Sequence, residues 1–332
     1  MLITLDGLRW QELYSGADKA LIANKEYVND TNMLKSYFWR DNALQRREAL
    51  MPFLWTEAIK IGQFHGNRML GSKVNLTNNH WFSYPGYNEI LSGQADDERI
   101  DSNDKINNPN KTVLEIINST AINKGKVAAF ASWDVFPFII NEERSGVKVN
   151  AGFEAAEAEE LSNREEFLNQ LQSQIPSPWA TVRLDAFTHH YALEFMKRSH
   201  PNLIYIAYGE TDDFAHDGNY EAYLKAARNT DNFIKELWNF TRQDEYYKDN
   251  TLFIITTDHG RGTVPLETWQ HHGDKVRDAG QVWLICFGKG VSPLGEVKNH
   301  EQLYSNQVAP TILKLFGLKV NLDSKPLNIL DD

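Results

Sequence analysis

Short apolar runs recur along the chain, and each closes on polar residues of a kind that chemistry uses. Leu2 to Leu5, Lys126 to Ala131, Leu203 to Ala207, Thr251 to Thr256 and Gln281 to Phe287 are rich in β-branched and large apolar side chains. Each reads as a strand buried on both faces of a largely parallel sheet. Between them lie helical patterns: Lys111 to Ser119, Glu165 to Gln174, Thr181 to Lys197, Tyr220 to Thr241, and Gln307 to Phe316, the last stopped by Gly317. Strands alternating with helices predict an α/β chain, a three-layer α/β/α sandwich around a largely parallel central sheet. The segment from about 141 to 200 interrupts the alternation. It is rich in Glu and helix formers, shows no strand pattern, and reads as a helical insertion laid over the sheet edge or a small cap. The Asn-rich stretches near Asn29 to Asn32, Asn75 to Asn79 and Asn103 to Asn110 read as loops, where Asn supplies local hydrogen bonds to the backbone.

Composition narrows the picture. With 332 residues, 42% of them hydrophobic, a single domain of residues 1–332 carrying that insertion can bury a full core. A formal net charge of -11 argues against general nucleic-acid binding, because phosphate backbones repel such a surface. Cys286 is the only cysteine, which excludes an internal disulfide and a thiolate zinc cluster. No apolar stretch reaches the roughly 20 residues that span a bilayer. The core strand at Leu2 opens the chain so abruptly that a removed export segment, and hence a periplasmic or secreted location, is an expectation.

Candidate chemistry sits where the strands end. In open α/β sheets, ligands collect at the carboxyl ends of the strands. Asp6 follows the first run, Asp212 and His216 follow Leu203 to Ala207, and Asp258 with His259 follow Thr251 to Thr256. Asp212 and His216 stand four apart, on one face of any helical turn. His272 lies in the loop Gln270-His271-His272-Gly273-Asp274. A mixed set of carboxylates and imidazoles favours zinc, with manganese next. Taken singly, each has a plainer explanation: Asp-Gly as a turn, Asp258 as a helix cap, the His pair as an exposed loop. Their order and placement together carry the signal.

That order resembles the alkaline phosphatase superfamily, and within it the type I phosphodiesterase and nucleotide pyrophosphatase branch. The resemblance rests on Ile3-Thr4-Leu5-Asp6-Gly7, on Ser83-Tyr84-Pro85 opening a helix that ends near Gly93, and on Asp212 with His216. It continues through Thr257-Asp258-His259-Gly260, His272-Gly273 and the closing helix Ala309 to Gly317, covering essentially the whole chain. It implies two divalent metal ions, one held by Asp212, His216 and His272, the other by Asp6, Asp258 and His259 beside the Ser83 oxygen. Ser83 is then the nucleophile of a phosphate-ester hydrolase acting on a small phosphorylated substrate. Asn103 is the best positional match for an Asn that donates to a phosphate oxygen, with Asn107 and Asn108 close by. Trp133, after a core strand, is a candidate to stack on the substrate, although a packing or rim role is the commoner one for Trp. Asp231 is structural in this scheme.

The chain departs from that branch in two ways. Ser83 stands where many relatives carry Thr, and Gly86-Tyr87-Asn88 replaces Asn-His-Tyr after the Pro. The competing readings are a sulfatase, which places Arg where Tyr87 stands, and a phosphoglycerate mutase, whose long inserted domain does not fit between Ser83 and Asp212. A non-catalytic binding protein on the same fold is the reading from another class. It would be expected to have lost at least one of the seven residues, and all seven are present.

Overall fold

The computed structural model describes residues 1–330. The strands are β1 (Leu2–Leu5), β2 (Gly62–His65), β3 (Lys73–Asn75), β4 (Val127–Ala131), β5 (Lys148–Ala151), β6 (Leu203–Tyr208), β7 (Leu252–Thr256), β8 (Gln281–Val282), β9 (Leu284–Gly288), β10 (Gly295–Glu296) and β11 (Gln302–Tyr304). Eight form the main sheet in the order β10-β2-β9-β7-β1-β6-β4-β5, and β11-β3-β8 form a small second sheet. From β7 to β5 every pairing is parallel, whereas β9 runs antiparallel to both of its neighbours. The α/β sandwich read from the sequence is the observed architecture.

Both faces of the central strands are buried, which is why their sequences lack alternation. Ile204, Ile206 and Tyr208 of β6 join one apolar core with Ile3 and Leu5 of β1. Leu203, Tyr205 and Ala207 join the core on the other face with Leu2. Helices Asp185–Ser199 and Tyr220–Gln243 cover the first face. Helices Ser83–Ser92, Val113–Asn118, Phe136–Ile140 and Val308–Leu315 cover the second. Among the described residues, no helix is long and apolar enough to cross a membrane.

Two expectations are corrected. The run Gln281 to Phe287 is not one strand: it breaks at Trp283, with Gln281–Val282 in the small sheet and Leu284–Gly288 in the main one. The indole of Trp283 is fully buried and donates to the Leu8 carbonyl at 2.8 Å, so the chain steps between sheets around an anchored side chain. The segment 141–200 also contains a strand, β5, at the sheet edge. Only four residues long, with the polar Lys148 and Asn150 alternating with Val149 and Ala151, it offers too little pattern to stand out. Buried Arg183 fixes it, donating to the Asn150 side-chain oxygen at 2.8 Å and to its carbonyl at 3.1 Å. The helix Asp185–Ser199, expected in the insertion, packs on β4 and β6 as part of the sandwich layer.

Asp231, on the helix Tyr220–Gln243, is fully buried and accepts from the backbone N–H of Phe53 and Leu54 at 2.8 and 2.9 Å. Its carboxylate caps the helix Pro52–Thr56 from a distant part of the chain. Asp231→Ala should lower stability by about 2–4 kcal/mol, because two buried N–H groups lose their acceptor. Urea unfolding measures this, and metal binding should be unchanged.

Candidate active site

Three parallel strands point their carboxyl ends at one rim. After β1, Asp6 extends the pairing through its N–H to the Tyr208 carbonyl at 2.9 Å. After β6, the short helix Glu210–His216 presents Asp212 and His216 on one face, His216 Nε2 lying 3.3 Å from Asp212 Oδ2. After β7, Thr257 Oγ1 donates to the His259 carbonyl at 2.9 Å and shapes the turn that carries Asp258 and His259. Gly7 has φ +59, and a Cβ there would lie 2.8 Å from Asp212 Oδ1, so only glycine lets the β1 and β6 ends approach this closely.

Ser83 is delivered by a different device. It is the first residue of the buried helix Ser83–Ser92 and is itself 5% exposed. Glu89 of that helix accepts from the N–H groups of Thr77 and Asn78, and Asn78 Oδ1 in turn accepts from the N–H of Trp81 at 3.0 Å. Trp81 adopts φ +52, an uncommon conformation for a bulky residue. Its carbonyl accepts from Gly273 N at 3.0 Å, which ties the nucleophile turn to the His272 loop. One turn into the helix, a Cβ on Gly86 would lie 2.2 Å from the Asp258 carbonyl oxygen. The helix therefore rests on the backbone of a candidate ligand.

The seven residues named from the sequence converge. His259 Nε2 lies 3.3 Å from Asp6 Oδ1, 3.4 Å from Asp258 Oδ2, 3.5 Å from Asp212 Oδ1 and 3.4 Å from Ser83 Oγ. His272 Nε2 lies 3.8 Å from Asp212 Oδ1 and 2.9 Å from His216 Nε2. Among these seven, two groups have donor atoms close enough to share an ion: Asp6, Asp258 and His259, and Asp212, His259 and His272. His259 thus stands between the groups that the sequence assigns to separate ions, and His216 sits at the outer, exposed side.

The donor set fits divalent cations. His259 Nδ1 lies 2.9 Å from the Gly260 carbonyl, which can only accept, so Nδ1 is the donor and Nε2 the nitrogen that in the neutral ring offers a lone pair. That lone pair confronts carboxylate oxygens, and Asp6 Oδ1 and Asp258 Oδ2 are buried with no hydrogen-bond donor. A divalent ion bound among them would give these buried oxygens their partner. The electrostatics agree with crowded charge. Burial, then the neighbouring Asp212, pushes the Asp6 carboxyl well above the usual range, and burial, then Asp6, does the same for Asp258. Burial opposes ionisation of Asp212 too, but Arg261 and then His216 hold it well below the usual range. Burial, followed by His259, pushes His272 down.

The two candidate substrate contacts fare differently. Asn103 Oδ1 accepts from the Tyr84 N–H at 3.0 Å, which places this exposed side chain at the first turn of the Ser83 helix. Asn108, the nearby alternative, is buried and donates to Asn88 Oδ1 and the Ile139 carbonyl. Trp133, half-buried, packs edge-on to Phe136 at 6.3 Å, and its backbone bridges to Val182. Two site residues had escaped the sequence reading. Tyr87 donates its OH to Asp6 Oδ2 at 2.7 Å, and Arg261 pairs with Asp212. Tyr87 lies four residues after Ser83, on the same helix face, a spacing that could have signalled it.

A parallel-sheet sandwich with carboxylates and imidazoles pooled at its strand ends defines a metal-centred α/β class. The chain belongs to the Metalloenzyme superfamily, whose family model matches residues 67–320, a span that includes every candidate ligand except Asp6. Its fold is alkaline phosphatase-like: the alkaline phosphatase PafA superposes with a TM-score of 0.62 at 9% identity, over 99% of this chain and 98% of that one. The phosphonate monoester hydrolase SpPMH from Silicibacter pomeroyi gives 0.57 at 16% identity, over 98% and 75%. By sequence, 119 residues are 29% identical to the 2,3-bisphosphoglycerate-independent phosphoglycerate mutase of Wolinella succinogenes, covering 35% of this chain and 21% of that protein. The chain spans about a fifth of the length of that mutase and of its counterparts from Helicobacter pylori and Helicobacter acinonychis.

Proposed function

We propose that this protein hydrolyses small phosphate esters, with Ser83 as nucleophile beside two divalent metal ions, zinc in preference to manganese. The observation that carries the reading is the buried Ser83 Oγ, 3.4 Å from His259 Nε2 at the meeting point of two groups of metal-competent donors. Asp6, Asp258, His259 and Ser83 would hold one ion, and Asp212, His216 and His272 the other. When bound, the pair supplies a lowered hydroxyl pKa, a grip on the leaving oxygen and a counter-charge for the non-bridging oxygens. Ser83 Oγ forms a bond to phosphorus, the ester P–O bond breaks, and the alcohol departs with the serine proton. Water then cleaves the serine ester, restoring the hydroxyl and releasing phosphate from a monoester or a phosphate monoester from a diester. Tyr87 holds the Asp6 carboxylate in one orientation, and Asn103 offers its NH2 group to a phosphate oxygen. The resemblance to the diesterase branch favours a diester with one small organic arm. Net charge -11 disfavours a polymeric nucleic acid.

The test compares rates on para-nitrophenyl phosphate, its bis-ester and a thymidine phosphodiester, using metal-loaded protein. Turnover of at least one, with phosphate trapped on Ser83 after an acid quench, supports the proposal; no turnover of any contradicts it. Gly86→Ala should cost on the order of a hundredfold in turnover on the best of these, since an ångström-scale displacement of a positioned group can cost that much. Circular dichroism should remain that of the parent.

The match to a phosphoglycerate mutase favours a second reading, in which the phosphoserine passes its phosphoryl group to another alcohol instead of water. Product analysis in the presence of 3-phosphoglycerate or glycerol separates the two.

A further inference from the structure

We propose that Arg261 is a positioning residue, whose single guanidinium holds Asp212 in register with the loop that carries His272. The inference rests on the two-metal reading above. Arg261 follows Asp258-His259-Gly260 directly, and its side chain is 0% exposed. Nη1 donates to the carbonyl of Gln270 at 2.6 Å, two residues before His272. Nη2 donates to the Asp212 carbonyl at 3.1 Å and to Asp212 Oδ1. A Cβ on Gly7, next to Asp6, would lie 2.9 Å from Nε and 3.1 Å from Nη2, so the β1 end packs against the same group. The segments carrying Asp6, Asp212, Asp258 with His259, and His272 come from widely separated parts of the chain. They meet at this one side chain.

Charge alone does not explain that placement. A cation beside a centre that takes divalent ions is repelled by them, so an arginine kept there needs a geometric reason. The planar fork provides one, because it reaches two carbonyls and a carboxylate oxygen in fixed directions. A lysine ammonium supplies the charge from one atom and cannot span Gln270 and Asp212 in the same way. By engaging Asp212 Oδ1 and its carbonyl, Arg261 fixes the carboxylate with Oδ2 beside His216 Nε2 and Oδ1 toward His272 and His259. The loop beyond is pinned in turn, since Arg9 Nη1 donates to the Gly262 carbonyl at 2.9 Å.

The experiment titrates zinc by calorimetry into the metal-free protein, into Arg261→Lys and into Arg261→Ala, with a thermal melt of each. Wild type should take up two ions. Both variants should keep the ion at Asp6, Asp258 and His259 within a few-fold, and weaken the ion at Asp212 by about tenfold to a hundredfold, the range typical of an outer partner that orients a ligand. Millimolar guanidinium should restore the weaker ion in Arg261→Ala and do nothing for Arg261→Lys. Unchanged second-ion affinity in Arg261→Lys would overturn the inference by showing that charge suffices. Equal weakening of both ions in each variant, with a lower melting temperature and no response to guanidinium, would also overturn it. Uptake of fewer than two ions by wild type would instead refute the two-metal reading, and this inference with it, before any variant is considered.

Discussion

Ser83→Ala is expected to bind both metal ions as the parent does and to lose turnover by on the order of a thousandfold or more, the scale seen when an enzyme loses its nucleophile. The two halves of that expectation have separate causes. Ser83 opens its helix, and alanine is the best helix former, so the substitution does not disturb local structure. The ligand groups retain their carboxylates and imidazoles, and only one weak oxygen donor is lost. Catalysis has no substitute for it, because the described side-chain partner of that oxygen is the His259 ring, itself a metal-ligand candidate. Steady-state rates with metal content measured on the same samples decide the matter. Retained turnover would exclude a covalent step through this oxygen.

Asp258→Asn should remove metal and turnover together. Asp258 is fully buried, accepts from Gly7 N at 3.1 Å through Oδ1, and keeps Oδ2 without a hydrogen-bond donor 3.4 Å from His259 Nε2. Losing a direct ligand should exceed the 10–100-fold affinity loss of an outer-partner mutation, so a fall of about a hundredfold or more is expected at that site. The metal-free protein should move the other way. Asp6 and Asp258 oppose each other in a site without solvent, and neutralising one relieves that repulsion. The variant should therefore melt higher than wild type without metal and lower with it. Thermal melts with and without zinc read out both signs, and a lower melting temperature in both conditions would contradict the account.

Much of this site was legible in the sequence, for a physical reason. Buried parallel strands write their positions as apolar runs, and the fold brings their carboxyl ends to one rim, so Asp6, Asp212, His216, Asp258 and His259 could be placed by what they follow. His272 sits on a loop and stood out by its place beside His271 and Gly273, whereas Ser83 opens a helix and was found through the family resemblance. Arg261 and Tyr87 were missed because their roles depend on reach across the fold. Arg261 touches Gln270 and Asp212, and Tyr87 touches Asp6, contacts that no periodicity records. The strand β5 escaped notice because four residues at a sheet edge carry little pattern. The break at Trp283 was hidden because a buried indole reads as one more apolar residue in a strand. The grouping of donors was also only half visible: the resemblance assigned His259 to one ion, and the structure sets it within 3.5 Å of Asp212 as well.

The most direct test is a crystal structure of the zinc-loaded protein with anomalous data at the zinc edge. The account predicts two peaks about 4 Å apart, the spacing of catalytic two-metal pairs. One should lie against Asp6, Asp258, His259 and Ser83 Oγ, and the other against Asp212, His216 and His272. A single ion, or ions bound elsewhere with Ser83 remote from both, would contradict it.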